Sequence, residues 1–427
     1  MRGKNAGGRP AAVRIDDYAQ PRFDADIAAL RASVEPIAAE LRLDSGALHA
    51  DVTAELGVDD FGPPDYRERL DVLLDAWNRP GVLGAWGVVA QYTFAKQLLR
   101  NRALVQDLLV RNPEIHDVEI ERPIIICGMP RTGTTHLHNL ISADPGLRSL
   151  PYWESLEPVL PEAEQPAPGE PDPRLERTAF ALEIVNRTMP LFKRMHEMTV
   201  EHVHEEIQLL AVDFSTMLFE TTSYVPSWRD YYLTHDQTPH YRYLKTVLQA
   251  LQWLRGGTHW VLKSPQHIEQ FGPLRSVFPD ATFVVTHRDP VSVTASLCTM
   301  IGYTARMNGD RIDPLEIGAY WSLRVQQMLQ GCVAGHELLP PEQTVDVTFH
   351  DFMAGDIATV ERIYAVAGRA FTADVRGAMD AFMADHPRGK FGTIEYDLSV
   401  FGVDPVERRA ALRFYTDRFG TRDEDRW

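Results

Sequence analysis

Residues 124–135 read IIICGMPRTGTT and carry the strongest structural signal in this chain. The apolar run 124–127 is typical of a short strand buried on both faces of a parallel sheet. A glycine-bearing loop follows, and the apolar spacing after it predicts a helix that ends near Asp144-Pro145-Gly146. A strand, loop and helix in this order predict an anion-binding site built from backbone N–H groups and a helix N-terminus.

Strands and helices alternate through the rest of the chain. The pattern predicts further strands at 259–263, 282–287 and 344–349, a long helical stretch over 175–219, and helices at 266–278, from Pro290, and through Ile363 and Val366. Such alternation predicts an α/β fold: a three-layer parallel sheet with a P-loop-like nucleotide-binding core.

The sequence predicts four regions. They are a disordered tail (1–20), a helical N-terminal region (21–118), the α/β domain (119–405) and a C-terminal tail (406–427). The helical assignment of the second region depends on apolar residues three and four apart, such as Leu70, Leu73, Leu74 and Trp77.

Composition excludes several function classes. The formal net charge of −17 weighs against a nucleic-acid-binding protein, since phosphate neutralisation needs a basic face. The three cysteines show neither metal spacing nor a disulfide framework, and no apolar run reaches the length of a membrane span. The basic N-terminus lacks a signal-peptide core, so we expect a cytoplasmic protein. A homo-oligomer is compatible with the sequence.

The loop departs from the NTP-binding pattern G-x-x-x-x-G-K-[ST] in an informative way. Gly128 and Gly133 have the required spacing, but Thr134 occupies the lysine position and Arg131 adds a cation inside the loop. A nucleotide without a γ-phosphate and bridging magnesium does not need that lysine. The alternatives are an ordinary strand–turn–helix junction and a kinase or NTPase with a degenerate loop.

The segment Pro130-Arg131-Thr132-Gly133-Thr134-Thr135 resembles the 5′-phosphosulfate loop of sulfotransferases that use 3′-phosphoadenosine 5′-phosphosulfate (PAPS). The resemblance implies that residues 131–135 bind PAPS and its product PAP. The family's basic residue is often lysine, and arginine keeps the charge while adding planar, two-point contact with phosphate or sulfate.

A second element, Arg288-Asp289-Pro290, follows the predicted strand 282–287, and Ser296 lies eight residues after Arg288. Open α/β sheets bind ligands at the carboxyl ends of their strands. Sulfotransferases use an arginine and a serine at this separation to hold the 3′-phosphate of PAPS. The resemblance therefore implies this role for Arg288 and Ser296.

Two weaker elements agree with the resemblance. Lys263, in WVLKSP, matches a strand-end lysine that points into the family's active site. The family has a basic-glycine segment that closes over the 3′ side of the nucleotide. Its place is taken here by Arg388, Gly389 and Lys390, whose sequence matches the family pattern in part.

Two residues compete as the base that takes the acceptor's proton. Glu154 follows the first helix of the nucleotide unit, as does a catalytic glutamate of Golgi-type sulfotransferases. His267 follows Lys263 by four residues, whereas cytosolic sulfotransferases place their histidine two residues after the lysine. This difference in spacing favours Glu154 as the base. Arg131 and Lys263 are expected to be the cations that stabilise the leaving group.

The group His202, His204, Glu205 and Glu206 invites comparison with a metal site. On a helix, residues two apart point to different sides, and no H-E-x-x-H spacing occurs. The sequence therefore predicts no metal. One or two of these residues are instead expected to face the acceptor pocket.

These features predict a sulfotransferase that moves a sulfuryl group from PAPS onto the hydroxyl of a small-molecule, lipid or carbohydrate acceptor. A P-loop kinase or NTPase would need a magnesium-binding carboxylate and a loop lysine. A non-catalytic nucleotide-binding protein is the other alternative.

Overall fold

A four-stranded parallel sheet organises the computed structural model, which describes residues 10–309, 311–387 and 389–424. The strands are β1 (Val13–Arg14), β2 (Ile124–Gly128), β3 (Val261–Ser264), β4 (Thr282–His287), β5 (Thr344–Thr348) and β6 (Ile394–Glu395). The main sheet has the order β3-β2-β4-β5, and β1 pairs with β6 in a small second sheet. Because β3 and β4 flank β2 on opposite sides, a crevice opens at the carboxyl end of β2.

Helices make up most of the remaining described structure. They are α1 (Ala25–Ser33), α2 (Glu35–Glu40), α3 (Ser45–Leu56), α4 (Tyr66–Trp77), α5 (Ala85–Arg111), α6 (Thr134–Ser142), α7 (Tyr152–Leu156), α8 (Pro173–Thr188), α9 (Ile207–Ala211), α10 (Leu218–Thr222), α11 (Pro226–Leu233), α12 (Thr238–Arg255), α13 (Phe271–Val277), α14 (Pro290–Thr304), α15 (Pro314–Gly335), α16 (Phe349–Ala354), α17 (Asp356–Ala367), α18 (Ala373–Asp385), α19 (Pro405–Ala411) and α20 (Arg413–Phe419).

Alternate residues of β2 enter two different apolar cores. Ile124 and Ile126 pack with residues of α6 and α17 on one face of the sheet. Ile125 and Cys127 pack with residues of α12, α14 and α15 on the other. Since successive side chains of a strand point to opposite faces, this division defines helix, sheet and helix layers. The predicted three-layer α/β fold is confirmed.

The N-terminal helices share a third core with a segment from the middle of the chain. Leu70 and Trp77 of α4 pack with Phe219 and Trp228, which lie on α10 and α11. Helix α5 also contributes Val105 to the main core beside the sheet. The boundary drawn at residue 118 therefore does not separate an independently packed unit.

Neither predicted tail is free in the part of the chain that the structure describes. Residues 10–20 include strand β1, whose Val13 pairs with Ile394, and they bury Ile15 and Tyr18. The predicted C-terminal tail, 406–427, contributes most of α19 and all of α20, and Tyr415 is buried against the main core. Both tail assignments are wrong over the described residues, because their apolar side chains have core partners far away in the sequence.

Two helix predictions also need correction. The stretch 175–219 is not continuous, because α8 ends at Thr188 and residues 195–206 form turns and an extended piece before α9. Residues 266–278 divide into a 3₁₀ helix, Pro265–Glu269, and α13. The irregular part of the first stretch contributes several side chains to the site described next.

Candidate active site

The loop between β2 and α6 has a backbone conformation that few residue types can adopt. A Cβ atom on Gly128 would lie 1.9 Å from Thr286 Oγ1, so a side chain there would collide with β4. Arg131 and Gly133 both have positive φ angles, 73° and 90°. For a residue other than glycine this conformation is strained, and such strain is concentrated at functional sites.

The Arg131 side chain connects the loop to two other segments. Its Nε donates to Ser296 Oγ at 3.0 Å on α14, and its Nη1 donates to the carbonyl of Met195. Thr132 Oγ1 lies 2.7 Å from Thr286 Oγ1, which fixes the loop to the end of β4. The structure thus brings Arg131 and Ser296, which are far apart in the sequence, into direct contact.

Arg288, at the end of β4, holds a carboxylate in two-point contact. Its Nε and Nη2 donate to Glu424 Oε1 and Oε2 at 2.7 and 2.8 Å. Its Nη1 donates to the Arg131 carbonyl at 2.6 Å, and the guanidinium lies 4.0 Å from the ring centroid of Phe349. Ser292 Oγ also donates to Glu424 Oε2, at 3.2 Å. These groups form an oxyanion-binding pocket next to the loop.

Glu424 was not identified from the sequence, because a lone glutamate near the C-terminus carries no motif. Burial alone would raise its pKa, but hydrogen bonding and the positive charge of Arg288 hold the pKa below its usual value. Its backbone N–H donates to Asp289 at 3.0 Å, and Arg409 also reaches Asp289. The carboxylate is therefore ionised and tethered at both its side chain and its backbone.

Lys263 lies at the carboxyl end of β3 and is 2% exposed. Its ammonium pairs with Glu205, and its backbone N–H donates to Glu206 Oε2 at 2.8 Å. The predicted strand-end lysine thus has two adjacent carboxylates around it. Only Glu205 of this pair is partly exposed, with 18% of its side chain accessible.

His267 is fully buried, and both of its ring nitrogens have partners. Nε2 contacts Glu206, and Nδ1 lies 2.7 Å from the hydroxyl of Tyr241. Burial alone would raise the pKa of Glu206, but the charge and hydrogen bond of His267 hold that pKa below its usual value. His267 therefore forms part of an internal network that supports the Lys263 strand end.

Glu154 lies near the opposite, amino end of β3. Its carboxylate is fully buried and pairs with Arg148 at 3.0 and 3.2 Å and with Arg255 at 3.0 Å. Arg148 forms a backbone bridge with Trp260, just before β3 begins. Two guanidinium groups thus occupy the carboxylate that the sequence favoured as the base, and this placement weighs against that role.

Three histidines converge beside Lys263 and Arg131. The ligand nitrogens of His196, His202 and His204 all lie within 4.8 Å of one another. Burial, with the nearby charge of Lys263 as a further cause, lowers the pKa of all three, that of His202 to about 4. All three imidazoles are therefore neutral near pH 7. His196 was missed because it lies six residues before His202, with no motif between them.

The C-terminal basic segment is only partly described. Arg388 lies outside the described residues. Gly389 has a φ of 71°, and Lys390 pairs with Glu197 at 2.7 Å. Glu197 adjoins His196, so the segment approaches the histidine group.

This arrangement is that of an α/β protein with an anion-binding loop and fixed cations at the carboxyl ends of its parallel strands. The comparisons with known proteins specify the class further. Residues 123–373 match the model of the Sulfotransferase family. The chain belongs to the sulfotransferase family, and it is an enzyme that transfers a sulfuryl group to a small-molecule or lipid acceptor.

Relatives in mycobacteria extend this match. The omega-hydroxy-beta-dihydromenaquinone-9 sulfotransferases Stf3 of Mycobacterium bovis and Mycobacterium tuberculosis are each 23% identical over 356 residues, which span 78% of this chain and 84% of theirs. Among the described residues, no helix is both long and apolar enough to cross a bilayer.

Two solved structures share the fold. Sulfotransferase STF1 from Mycobacterium tuberculosis H37Rv has a TM-score of 0.75 and 29% identity, covering 86% of this chain and 98% of its own. Sulfotransferase STF9 from Mycobacterium avium has a TM-score of 0.80 and 26% identity, covering 91% and 99%. Both structures cover a larger part of this chain than residues 119–427 make up. The structural similarity therefore extends into the N-terminal helices.

Proposed function

We propose that the sulfuryl donor is PAPS and that Arg288 binds its 3′-phosphate. The contact between Arg288 and Glu424 carries this proposal. A guanidinium that holds a carboxylate through two hydrogen bonds has the geometry that also suits a phosphate. Ser292 adds a third donor to the same carboxylate, and Ser296 lies one helical turn further along α14. The 3′-phosphate would replace the Glu424 carboxylate on Arg288.

The phosphosulfate would lie against residues 131–135. Backbone N–H groups of the loop and of the first turn of α6 would bind its oxygens, as at other helix N-termini. Arg131 and Lys263 would stabilise the charge that develops on the bridging oxygen as PAP leaves. Fixed cations in this position replace the magnesium of kinases, so we propose that donor binding needs no Mg²⁺.

The acceptor's proton would pass to Glu205. This carboxylate is partly exposed and contacts Lys263, whereas Glu154 and His267 are both buried with their polar atoms occupied. When Lys263 turns towards the bridging oxygen of the donor, Glu205 loses its cationic partner and becomes a better base. Sulfuryl transfer resembles phosphoryl transfer in that positioning and charge stabilisation dominate, with proton removal from the attacking hydroxyl.

Two finer proposals concern the acceptor and the compartment. The name of the Stf3 relatives specifies a hydroxylated quinone as their acceptor, so a hydroxylated isoprenoid quinone belongs first in an acceptor screen with labelled PAPS. Cys127, Cys298 and Cys332 are buried free thiols, which fits a reducing cytoplasm.

Thermal shifts with PAP and ADP test the donor. Because a ligand stabilises the state that binds it, PAP should raise the melting temperature more than ADP, and Arg288→Ala should remove most of that difference. Arg275→Ala is a matched control, since Arg275 is an exposed arginine on α13 that donates to the Leu338 carbonyl. Glu424→Ala should strengthen PAP binding, because the competing carboxylate is gone.

Equal shifts with PAP and ADP in both the wild type and Glu424→Ala would contradict the 3′-phosphate assignment. A loss of PAP binding in Arg275→Ala as large as that in Arg288→Ala would show that total charge, and not the pocket, decides affinity.

A further inference from the structure

The histidine group His196, His202 and His204 has a geometry that the sequence did not predict. Residues 202–204 are extended, not helical: Tyr152 N–H donates to the His202 carbonyl at 2.9 Å, and His204 N–H donates to the Leu150 carbonyl at 2.7 Å. Pro151 and Val203 form an antiparallel bridge between these two bonds. In extended chain, residues two apart point to the same face. The reason for excluding a metal, that the two histidines diverge on a helix, therefore fails.

His196 approaches this pair from the preceding turn. Its ring centroid lies 5.3 Å from that of His202, and the His202 ring lies 5.9 Å from that of His204. The three ligand nitrogens fall within 4.8 Å of one another. In a tetrahedral zinc site with Zn–N bonds of about 2.0–2.1 Å, ligand nitrogens are about 3.4 Å apart, so modest rotations of the rings would complete the geometry.

The polar atoms of His204 supply an independent observation. Both of its ring nitrogens are buried and have no hydrogen-bond partner among the described residues. A buried polar group without a partner is costly, and native structures rarely leave both nitrogens of one imidazole unsatisfied. A metal ion bound between the three rings would give a partner to the His204 nitrogen that faces His196 and His202.

We propose that His196, His202 and His204 bind one divalent transition-metal ion of the zinc class. Imidazole nitrogens are preferred ligands of such ions, and three of them leave a fourth position open. The carboxylate of Glu205 pairs with the ammonium of Lys263 beside the site.

Cobalt substitution tests the site without any assay of sulfuryl transfer. Full-length protein is stripped with a chelator, dialysed, and titrated with Co²⁺, while bound metal is counted by mass spectrometry. We expect one Co²⁺ per chain with the visible absorption of tetrahedral coordination, and displacement by Zn²⁺. His204→Ala should lose the absorption, and so should His202→Ala. The side chain of His202 is only half-buried, so its removal is expected to disturb the fold less than removal of His204.

His336→Ala is the matched control. His287, His336 and Asp346 form a second group of potential ligands, well separated in sequence from the first. The proposal requires that this variant keep the Co²⁺ absorption. Absence of tetrahedral Co²⁺ in the wild type, or a signal that survives in both His202→Ala and His204→Ala, would overturn it. A signal lost only in His336→Ala would also overturn it.

Discussion

Two buried carboxylates, Glu154 and Glu206, lie near opposite ends of β3 and show how partners decide the role of a side chain. Both are 0% exposed. Glu154 pairs with Arg148 and Arg255 at the amino end of the strand, away from the phosphate loop. Glu206 accepts from the backbone of Lys263 and from His267 at the carboxyl end, where parallel sheets bind ligands.

The difference is one of position along the strand and not of residue type. Glu154 neutralises Arg148, which is largely buried, and also contacts the more exposed Arg255, which is a structural role. Glu206 fixes the strand end that carries Lys263 and leaves its neighbour Glu205 free to contact the ammonium. Chemistry is therefore expected at one end of β3 and stability at the other.

The largest effect is expected from Glu205→Gln. Loss of a general base typically lowers turnover by about 10²–10⁴-fold, while PAP affinity should change little. Steady-state kinetics with labelled PAPS and calorimetric PAP titration measure the two quantities. Glu201→Gln is the control, because Glu201 belongs to the same segment but contacts the Trp153 indole. Full activity of Glu205→Gln would refute the assignment.

A smaller effect is expected from His267→Ala. This change leaves Glu206 without its main partner and loosens the position of Lys263, so kcat should fall about tenfold through misplacement of the cation. A loss beyond that of Glu205→Gln, with an unchanged melting temperature, would instead identify His267 as the base.

Glu154→Gln should scarcely change kcat but should destabilise the fold. Removal of one partner from a buried ion pair costs about 3–5 kcal/mol, and chemical denaturation would detect it. Glu157→Gln offers a matched comparison, since Glu157 also pairs with two arginines, Arg100 and Arg177. A drop in kcat of about 100-fold with normal stability would restore Glu154 as the catalytic residue.

The smallest effect is expected from magnesium. Added Mg²⁺ should not alter the rate, because Arg131, Lys263 and the loop N–H groups supply the positive potential that kinases obtain from the ion. A rate that rises with Mg²⁺ in the millimolar range would favour a kinase-like mechanism.

The sequence predicted the parts of the fold that local pattern determines. The buried run 124–127 and the loop after it form β2 and the turn into α6, because a continuous apolar strand and two spaced glycines allow few other structures. The predicted strands at 282–287 and 344–349 correspond closely to β4 and β5 for the same reason. Arg288 follows β4, the neighbour of β2 in the sheet, and it therefore lies next to the loop that follows β2.

The remaining features depend on contacts between distant segments. Residues 202–204 are extended because they pair with residues 150–152, and no local pattern encodes that pairing. Glu424 reaches Arg288 across 136 positions of sequence. The partners of Glu154 likewise come from a turn before α7 and from the end of α12.

The positive φ of Arg131 has a consequence for protein engineering. The residue that carries this backbone strain, about 1–3 kcal/mol, is also the one whose side chain joins the loop to Ser296. Glycine at this position would relieve the strain and remove the guanidinium at once. Arg131→Gly would therefore exchange the strain for the loss of the hydrogen bonds to Ser296 and the Met195 carbonyl, and the protein would bind its donor less well.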